Sequence, residues 1–283
     1  MVIAIIGASG FIGNRIFQSL CSKNTFKLIG TFYKHKELPE FIYLDVTSKE
    51  LIEQFLVEYN PSLIFWIAGS KNLNKCEDDW EYAYQINTQP IKDYYEIKRR
   101  LNLESRLVFF STDYVFDGSK GRPYKEKDKT NPLGAYGKSK LHGEVSIMEN
   151  NCRSIIIRTS WLYSNLGSNF VKNIINLAQE KESLEVVDDQ LGSPTSAKDL
   201  SKAIMHMIGS NMFIEASSKK EIFHFCNSGV CSRYELAKEI VKIKKLNCKI
   251  IPCKSTEIKA AAKRPFYSAL NNEKFSNSFS FDI

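Results

Sequence analysis

The sequence predicts an α/β protein built on a doubly wound parallel sheet of Rossmann type, with a smaller C-terminal lobe interleaved with it. Two observations carry this. Apolar runs with the length of buried strands alternate with helical stretches through the first 160 residues or so, the pattern of a parallel sheet covered on both faces. The first such run ends in a glycine-rich turn, Gly7-Ala-Ser-Gly10-Phe-Ile-Gly13, that opens a helix.

The elements follow in order. Val2 to Ile6 is a buried strand, Asn14 to Cys21 a helix and Phe26 to Phe32 a second strand; Phe41 to Leu44 is a short third. Leu51 to Tyr59 has the apolar spacing of a helix, and Ser62 to Ala68 is a fourth strand. One helix is expected over about Asp79 to Arg100, then a fifth strand from Arg106 to Ser111, a helix carrying Tyr136, and a sixth strand from Ile155 to Thr159. Beyond residue 160 the pattern loosens: Leu184 to Val187 and Ile222 to Phe225 read as strands, Ser196 to Ile208 and Ser232 to Lys244 as helices. The division expected is a dinucleotide-binding domain over 1–160 and a substrate-binding lobe over 161–283, with about 196–208 and 222–227 returning to the first.

The 283 residues carry 39 Lys and Arg against 32 Asp and Glu, a net charge of +7. The bases are interleaved with acids, as in KEKDK at 125–129, and KIKK at 242–245 lies on a helix above Ile240, Val241 and Ile243. These are solvated faces, so no nucleic-acid partner is expected; the modest excess suits a small anionic ligand. No apolar run approaches the roughly 18 residues of a membrane span. The opening MVIAIIG is too short and lacks the basic residues of a leader. A cytoplasmic location and no membrane partner are expected. The seven cysteines (21, 76, 152, 226, 231, 248 and 253) include no CxxC pair, which suits reduced thiols. Cys226/Cys231 and Cys248/Cys253 leave a zinc site open as an alternative, but their spacing exceeds that of ordinary paired zinc ligands and no metal is expected.

The glycine turn carries the first chemistry. Gly7 permits the tight turn, Gly10 lets backbone approach a pyrophosphate, and Gly13 allows close helix packing, with the helix N-terminus at Phe11 and Ile12 facing the phosphates. Other cofactor contacts are expected at or just beyond strand ends, at Tyr33 and Lys34, Asp45 and Val46, and Ala68 and Gly69. No acid lies between Gly30 and Lys36 to hold a free adenosine ribose, whereas Lys34 and Lys36 would attract a 2′-phosphate; NADPH is therefore expected ahead of NADH. In AYGKSK (135–140), Tyr136 and Lys140 fall one helical turn apart on one face. Alone that is a common surface pair; beside a dinucleotide turn it suggests a proton donor whose pKa a neighbouring ammonium lowers.

The GxxGxxG and YxxxK motifs together resemble the short-chain dehydrogenase/reductase superfamily in its extended form. STDYVFDG (111–118), YGKSKLHGE (136–144), RTSWLY (158–163), VVDDQLGSPT (186–195) and KRPFYSALNNEKF (263–275) fall in the order seen in dTDP-4-dehydrorhamnose reductases, and the resemblance covers essentially the whole chain. It implies NAD(P)H-dependent reduction of the C4 keto group of a nucleotide-activated 4-keto-6-deoxy sugar, in deoxysugar and polysaccharide biosynthesis. It implies a catalytic triad of Thr112, Tyr136 and Lys140, with Tyr136 as proton donor, Lys140 also holding the nicotinamide ribose, and Thr112 orienting the substrate carbonyl. Asp113 and an indole face of Trp161 would meet the sugar, and Arg264 the diphosphate. The partner implied is a nucleotide-diphosphate sugar, with homodimer formation open.

Two departures stand out. Trp66 replaces the family's usual asparagine at the end of the fourth strand, and the loop SKNLNKCE (70–77) changes most of the family's side chains there. Two alternatives remain at this level. A sugar-nucleotide dehydratase or epimerase shares the fold and triad, although Tyr114 stands where the dehydratase motif has a second carboxylate. A non-catalytic NADP-binding regulatory subunit, like the beta subunit of methionine adenosyltransferase, retains similar motifs.

Overall fold

A computed structural model of the chain describes residues 1–22, 25–150, 152–210, 213, 219–258 and 261–283. The chain opens with β1 (Val2–Ile6), whose Ile3, Ala4, Ile5 and Ile6 are wholly buried because both faces of the strand are covered. In order there follow α1 (Phe11–Cys21), β2 (Lys27–Phe32), β3 (Ile42–Tyr43), α2 (Lys49–Tyr59), β4 (Leu63–Trp66), α3 (Leu73–Asp78), α4 (Trp80–Asn87), α5 (Gln89–Arg100), β5 (Arg106–Thr112), α6 (Ala135–Glu149) and β6 (Ser154–Thr159). The remainder is β7 (Leu162–Tyr163), α7 (Phe170–Glu180), β8 (Ser183–Val187), β9 (Leu191–Gly192), β10 (Thr195–Ser196), α8 (Ala197–Gly209), β11 (Lys220–Phe225), β12 (Cys231–Ser232), α9 (Arg233–Ile243), β13 (Lys249–Cys253) and α10 (Glu273–Phe279).

Seven parallel strands form the central sheet in the order β11-β6-β5-β4-β1-β2-β3. The order reverses between β1 and β4, so the ligand crevice of such a sheet opens beyond the carboxyl ends of these two strands. Alternate residues of β1 divide the core. Ile3 and Ile5 join Phe17, Leu200, Met207 and Phe275 on one face. Ala4 and Ile6 join Ile52, Trp66, Tyr94 and Ile147 on the other.

β11 pairs with β6 from Lys220 to Phe225 and α8 lies against α1, so two late segments belong to the body of the sheet. A smaller unit forms where β13 runs parallel to β8 under α7 and α9, around Ile174, Leu184, Val186, Ala237 and Ile240.

The single helix expected over 79–100 is two. Pro90 sits in the first turn of α5, where its missing N–H costs nothing, and the chain breaks at Thr88 (φ −115°, ψ −58°) to accommodate it. Trp66 is 1% exposed and packs edge-on to Tyr94 with centroids 6.0 Å apart, so it fills the core rather than the crevice.

Candidate active site

The crevice begins at the turn between β1 and α1. Gly7 has φ +89°, and a Cβ there would lie 2.7 Å from the Ala68 backbone nitrogen, so no other residue fits. A Cβ on Gly13 would lie 2.2 Å from the Gly7 carbonyl oxygen, which shows how closely α1 is drawn onto the turn. Gly10 starts α1 with no side-chain cap, leaving the N–H groups of Phe11, Ile12 and Gly13 at an uncapped, electropositive helix end. The Gly7 N–H donates to Thr31 Oγ1 at 3.0 Å and the Ser9 N–H to the Thr31 carbonyl at 3.2 Å, tying the turn to the end of β2. Beyond β2, Tyr33, Lys34 and Lys36 are exposed, with Lys34 Nζ 5.7 Å from the Tyr33 ring centroid. Asp45 spends its carboxylate on the N–H and hydroxyl of Thr47, at 2.9 and 2.7 Å, and with Val46 is half-buried. Ala68 donates its N–H to Ile6, which places Ala68 and Gly69 opposite the glycine turn. This uncapped, glycine-lined cradle fits the pyrophosphate of a dinucleotide.

The triad stands at the ends of β5 and β4. Thr112, the last residue of β5, stands near enough to Tyr136 to act on its phenol, while its Oγ1 donates to Asp113 Oδ1 at 3.1 Å and accepts from the Tyr114 N–H at 3.2 Å. Gly137 makes this possible: a Cβ there would lie 2.1 Å from the Tyr114 carbonyl, so only glycine lets α6 dock on the loop after β5. Lys140, one turn on, is 5% exposed, with Nζ 4.0 Å from the Phe109 ring centroid and facing Gly69.

Two supports were not among the residues singled out from sequence. Asn87 is 2% exposed; its carboxamide accepts from the Ser70 N–H (2.9 Å) and donates to Ser139 Oγ (3.0 Å), while Thr88 Oγ1 donates to the Ser139 carbonyl (2.7 Å). Asn87 and Thr88 thus clamp α6 against the loop after β4. Glu77 caps the same helix, accepting from the Ala135 N–H at 2.8 Å, where a carboxylate also suits the helix dipole. The signal for Asn87 is Pro90, which places the start of a helix and therefore a junction at 87–88.

Electrostatics correct one expectation. Burial is the largest influence on Tyr136 and holds its phenol well above the ordinary 10.0; Thr112 opposes this, and Lys140 is not among the largest influences on it. Burial pulls the Lys140 ammonium down to about 7, with Glu144 opposing. Glu144 is engaged by Arg158, with Nη2 at 2.6 Å and Nε at 2.9 Å, and by Ser111 Oγ at 2.5 Å. The phenol is therefore held in its protonated form, the form required of a proton donor.

The residues expected to meet a substrate lie around the end of β5 and the segment that carries Arg264. Asp113 is 2% exposed and burial raises its carboxyl to about 6, against the lowering influence of Ser268, Thr112 and Arg233. Ser268 lies near, but Asp113 Oδ2 has no partner in hydrogen-bonding geometry. Tyr114 packs edge-on to Tyr136 with centroids 6.1 Å apart, and the two help line a cleft with Leu73, Lys263 and Pro265. Arg264, exposed between the last two, reaches the same region and acts on Tyr114.

Trp161 departs from expectation. Arg233 Cζ lies 3.5 Å from its ring centroid, covering one indole face. A Cβ on Gly192 would lie 2.4 Å from Cε2 and 2.7 Å from both Cζ2 and Nε1, an approach possible only face-on and from the opposite side. Both faces being taken, the indole offers a sugar its edge and no stacking surface.

The sheet order, the glycine turn, and Thr112 and Tyr136 with Lys140 one turn on define a short-chain dehydrogenase/reductase of the extended type. Comparison with known proteins narrows the class. The family model for the RmlD substrate binding domain matches residues 1–283. The spore coat polysaccharide biosynthesis protein SpsK of Bacillus subtilis (strain 168) is 36% identical over 229 residues, 81% of this chain and 77% of that one. The crystal structure of a dTDP-4-dehydrorhamnose reductase from Clostridium acetobutylicum ATCC 824 superposes with a TM-score of 0.87 at 34% identity, covering 100% of this chain and 94% of that one. That of the Bacillus anthracis str. Ames dTDP-4-dehydrorhamnose reductase in complex with NADP gives 0.85 at 32% identity, covering 98% and 92%. The chain belongs to the dTDP-4-dehydrorhamnose reductase family.

Proposed function

We propose that this protein uses NADPH to reduce the C4 keto group of a nucleotide-activated 4-keto-6-deoxy sugar, in the cytoplasm, as a step in deoxysugar and polysaccharide synthesis. The observation that carries the reading is a Tyr136 held protonated and packed edge-on to Tyr114, whose N–H donates to Thr112 Oγ1 at the end of β5, in a crevice whose other end is an uncapped glycine turn. Gly7, Gly10 and the α1 N-terminus would hold the cofactor pyrophosphate, and Lys140, facing Gly69, the nicotinamide ribose hydroxyls. The bound nicotinamide supplies the hydride. Thr112 Oγ orients the ketone oxygen against the phenol, and Tyr136 donates its proton to that oxygen as charge develops on it; being held protonated, it is ready to do so at neutral pH. Asp113 accepts from a sugar hydroxyl, and Arg264 binds the diphosphate. Lys34 and Lys36 select NADPH through its 2′-phosphate.

The dehydratase reading lacks its second carboxylate, since Tyr114 occupies that position and is turned against Tyr136. A binding subunit without turnover is separated by experiment: consumption of NADPH on adding dTDP-4-dehydrorhamnose, one equivalent per sugar reduced, supports the enzyme. Cofactor binding with no consumption on any 4-keto sugar nucleotide refutes it.

A further inference from the structure

Arg233 has no part in the scheme above. It is the first residue of α9, and its backbone is fixed: its N–H donates to the Gln190 carbonyl at 3.2 Å, beside a capping box in which Ser232 Oγ accepts from the Glu235 N–H (3.0 Å) and Glu235 from the Ser232 N–H (2.7 Å). The guanidinium lies over Trp161, Cζ 3.5 Å from the ring centroid, with the Phe170 ring 4.8 Å away and Tyr114 near enough to act on it. Trp161 itself has φ +42°, a conformation a bulky residue keeps only where the surroundings hold it. Gly192 and Arg233 pack against its ring here.

This half-buried cation has no carboxylate within ion-pair distance among the described residues, and neither has Arg264. The two guanidiniums repel one another, and the attraction acting on Arg233 comes from Asp113 and Tyr114. Both arginines stand beside β9, where the Leu191 N–H donates to the Phe266 carbonyl at 2.7 Å and the Gln190 carbonyl accepts from the Arg233 N–H, so an anion seated there would meet both, and a guanidinium with free donors matches phosphate oxygens bidentately. We propose that Arg233, held on Trp161 as a pedestal, binds the diphosphate of the nucleotide sugar together with Arg264. This rests on the nucleotide-sugar reading and adds a second cation to it; Trp161 then acts on the substrate through Arg233.

The test is calorimetric titration of the full chain with dTDP and, separately, NADPH, for wild type, Arg233→Gln and Arg233→Lys. Loss of a charge-assisted pair predicts dTDP binding weaker by about 10- to 100-fold in Arg233→Gln, with Arg233→Lys recovering part and NADPH affinity within about twofold of wild type. Added salt should weaken dTDP binding to wild type more than to Arg233→Gln. A dTDP affinity unchanged in both variants overturns the proposal, as does equal loss of dTDP and NADPH binding with a lowered Tm, which would mean that Arg233 only props Trp161. Should wild type bind none of dTDP, UDP, GDP and CDP, the nucleotide-sugar reading fails and the proposal with it; tight binding by wild type and by Arg233→Gln alike defeats the proposal alone.

Discussion

Asn87→Ala should loosen the helix that carries Tyr136 and Lys140. The side chain accepts from the Ser70 N–H at 2.9 Å and donates to the Ser70 carbonyl at 3.3 Å, both half-buried, and donates to Ser139 Oγ at 3.0 Å, which is buried. Ser139 keeps its own bond to the Tyr136 carbonyl, so the Ser70 N–H and carbonyl are the groups left stranded. A buried polar group that loses its partner costs about 1–3 kcal/mol, and the half-buried Ser70 groups fall at the low end, about 2 kcal/mol together. For a chain of this size that is a fall in apparent Tm of roughly 4–8 °C. Because Ser139 lies between Tyr136 and Lys140, kcat should fall further than NADPH affinity. The assays are a thermal melt, NADPH titration and steady-state kinetics with dTDP-4-dehydrorhamnose. A Tm within about 2 °C of wild type and an unchanged kcat would refute the clamp.

Other outcomes follow from charge. Asp113 should give kcat/KM an acid limb near pH 6, because its carboxyl is raised to about 6 and only the carboxylate accepts from a sugar hydroxyl; Asp113→Asn should remove the limb and leave a low, flat profile. The stability effect runs the other way. The folded carboxyl holds its proton to higher pH than the unfolded chain's 3.8, so stability falls as pH rises from about 4 to about 6, by about 3 kcal/mol in all, and Asp113→Asn should be the more stable protein at pH 7.5 but not at pH 4. Replacing both Lys34 and Lys36 with alanine should reduce the preference for NADPH over NADH about tenfold, measured as the ratio of kcat/KM values; an untouched preference would place selection elsewhere.

The fold was legible because its strands are apolar throughout and its first turn needs glycine at particular places. Ile3 to Ile6 are buried on both faces, and Gly7 and Gly13 admit no Cβ. What escaped the sequence depends on contacts between distant segments. The helix break at Thr88 was signalled by Pro90, but the meeting of Asn87 with Ser139 is 52 residues removed. α3 starts from an Asn72 cap in a polar stretch with no apolar periodicity to betray it; α7, with Phe170, Val171, Ile174, Ile175 and Ala178 at helical spacing behind an Asn169 cap, was legible but was not among the helices expected. The Tyr136 phenol was expected to be lowered by Lys140; burial, which spacing alone does not reveal, reverses the sign. Trp161 looked like a sugar platform until Gly192 and Arg233 took its two faces.

The most direct measurement is NADPH oxidation by Tyr136→Phe with dTDP-4-dehydrorhamnose, followed by absorbance alongside NADPH titration. The variant removes one proton donor and almost no shape, so NADPH affinity should hold while kcat falls by about 10²–10⁴-fold. A Phe variant that turns over within about threefold of wild type would contradict the assignment of Tyr136 as the proton donor and the account built on it.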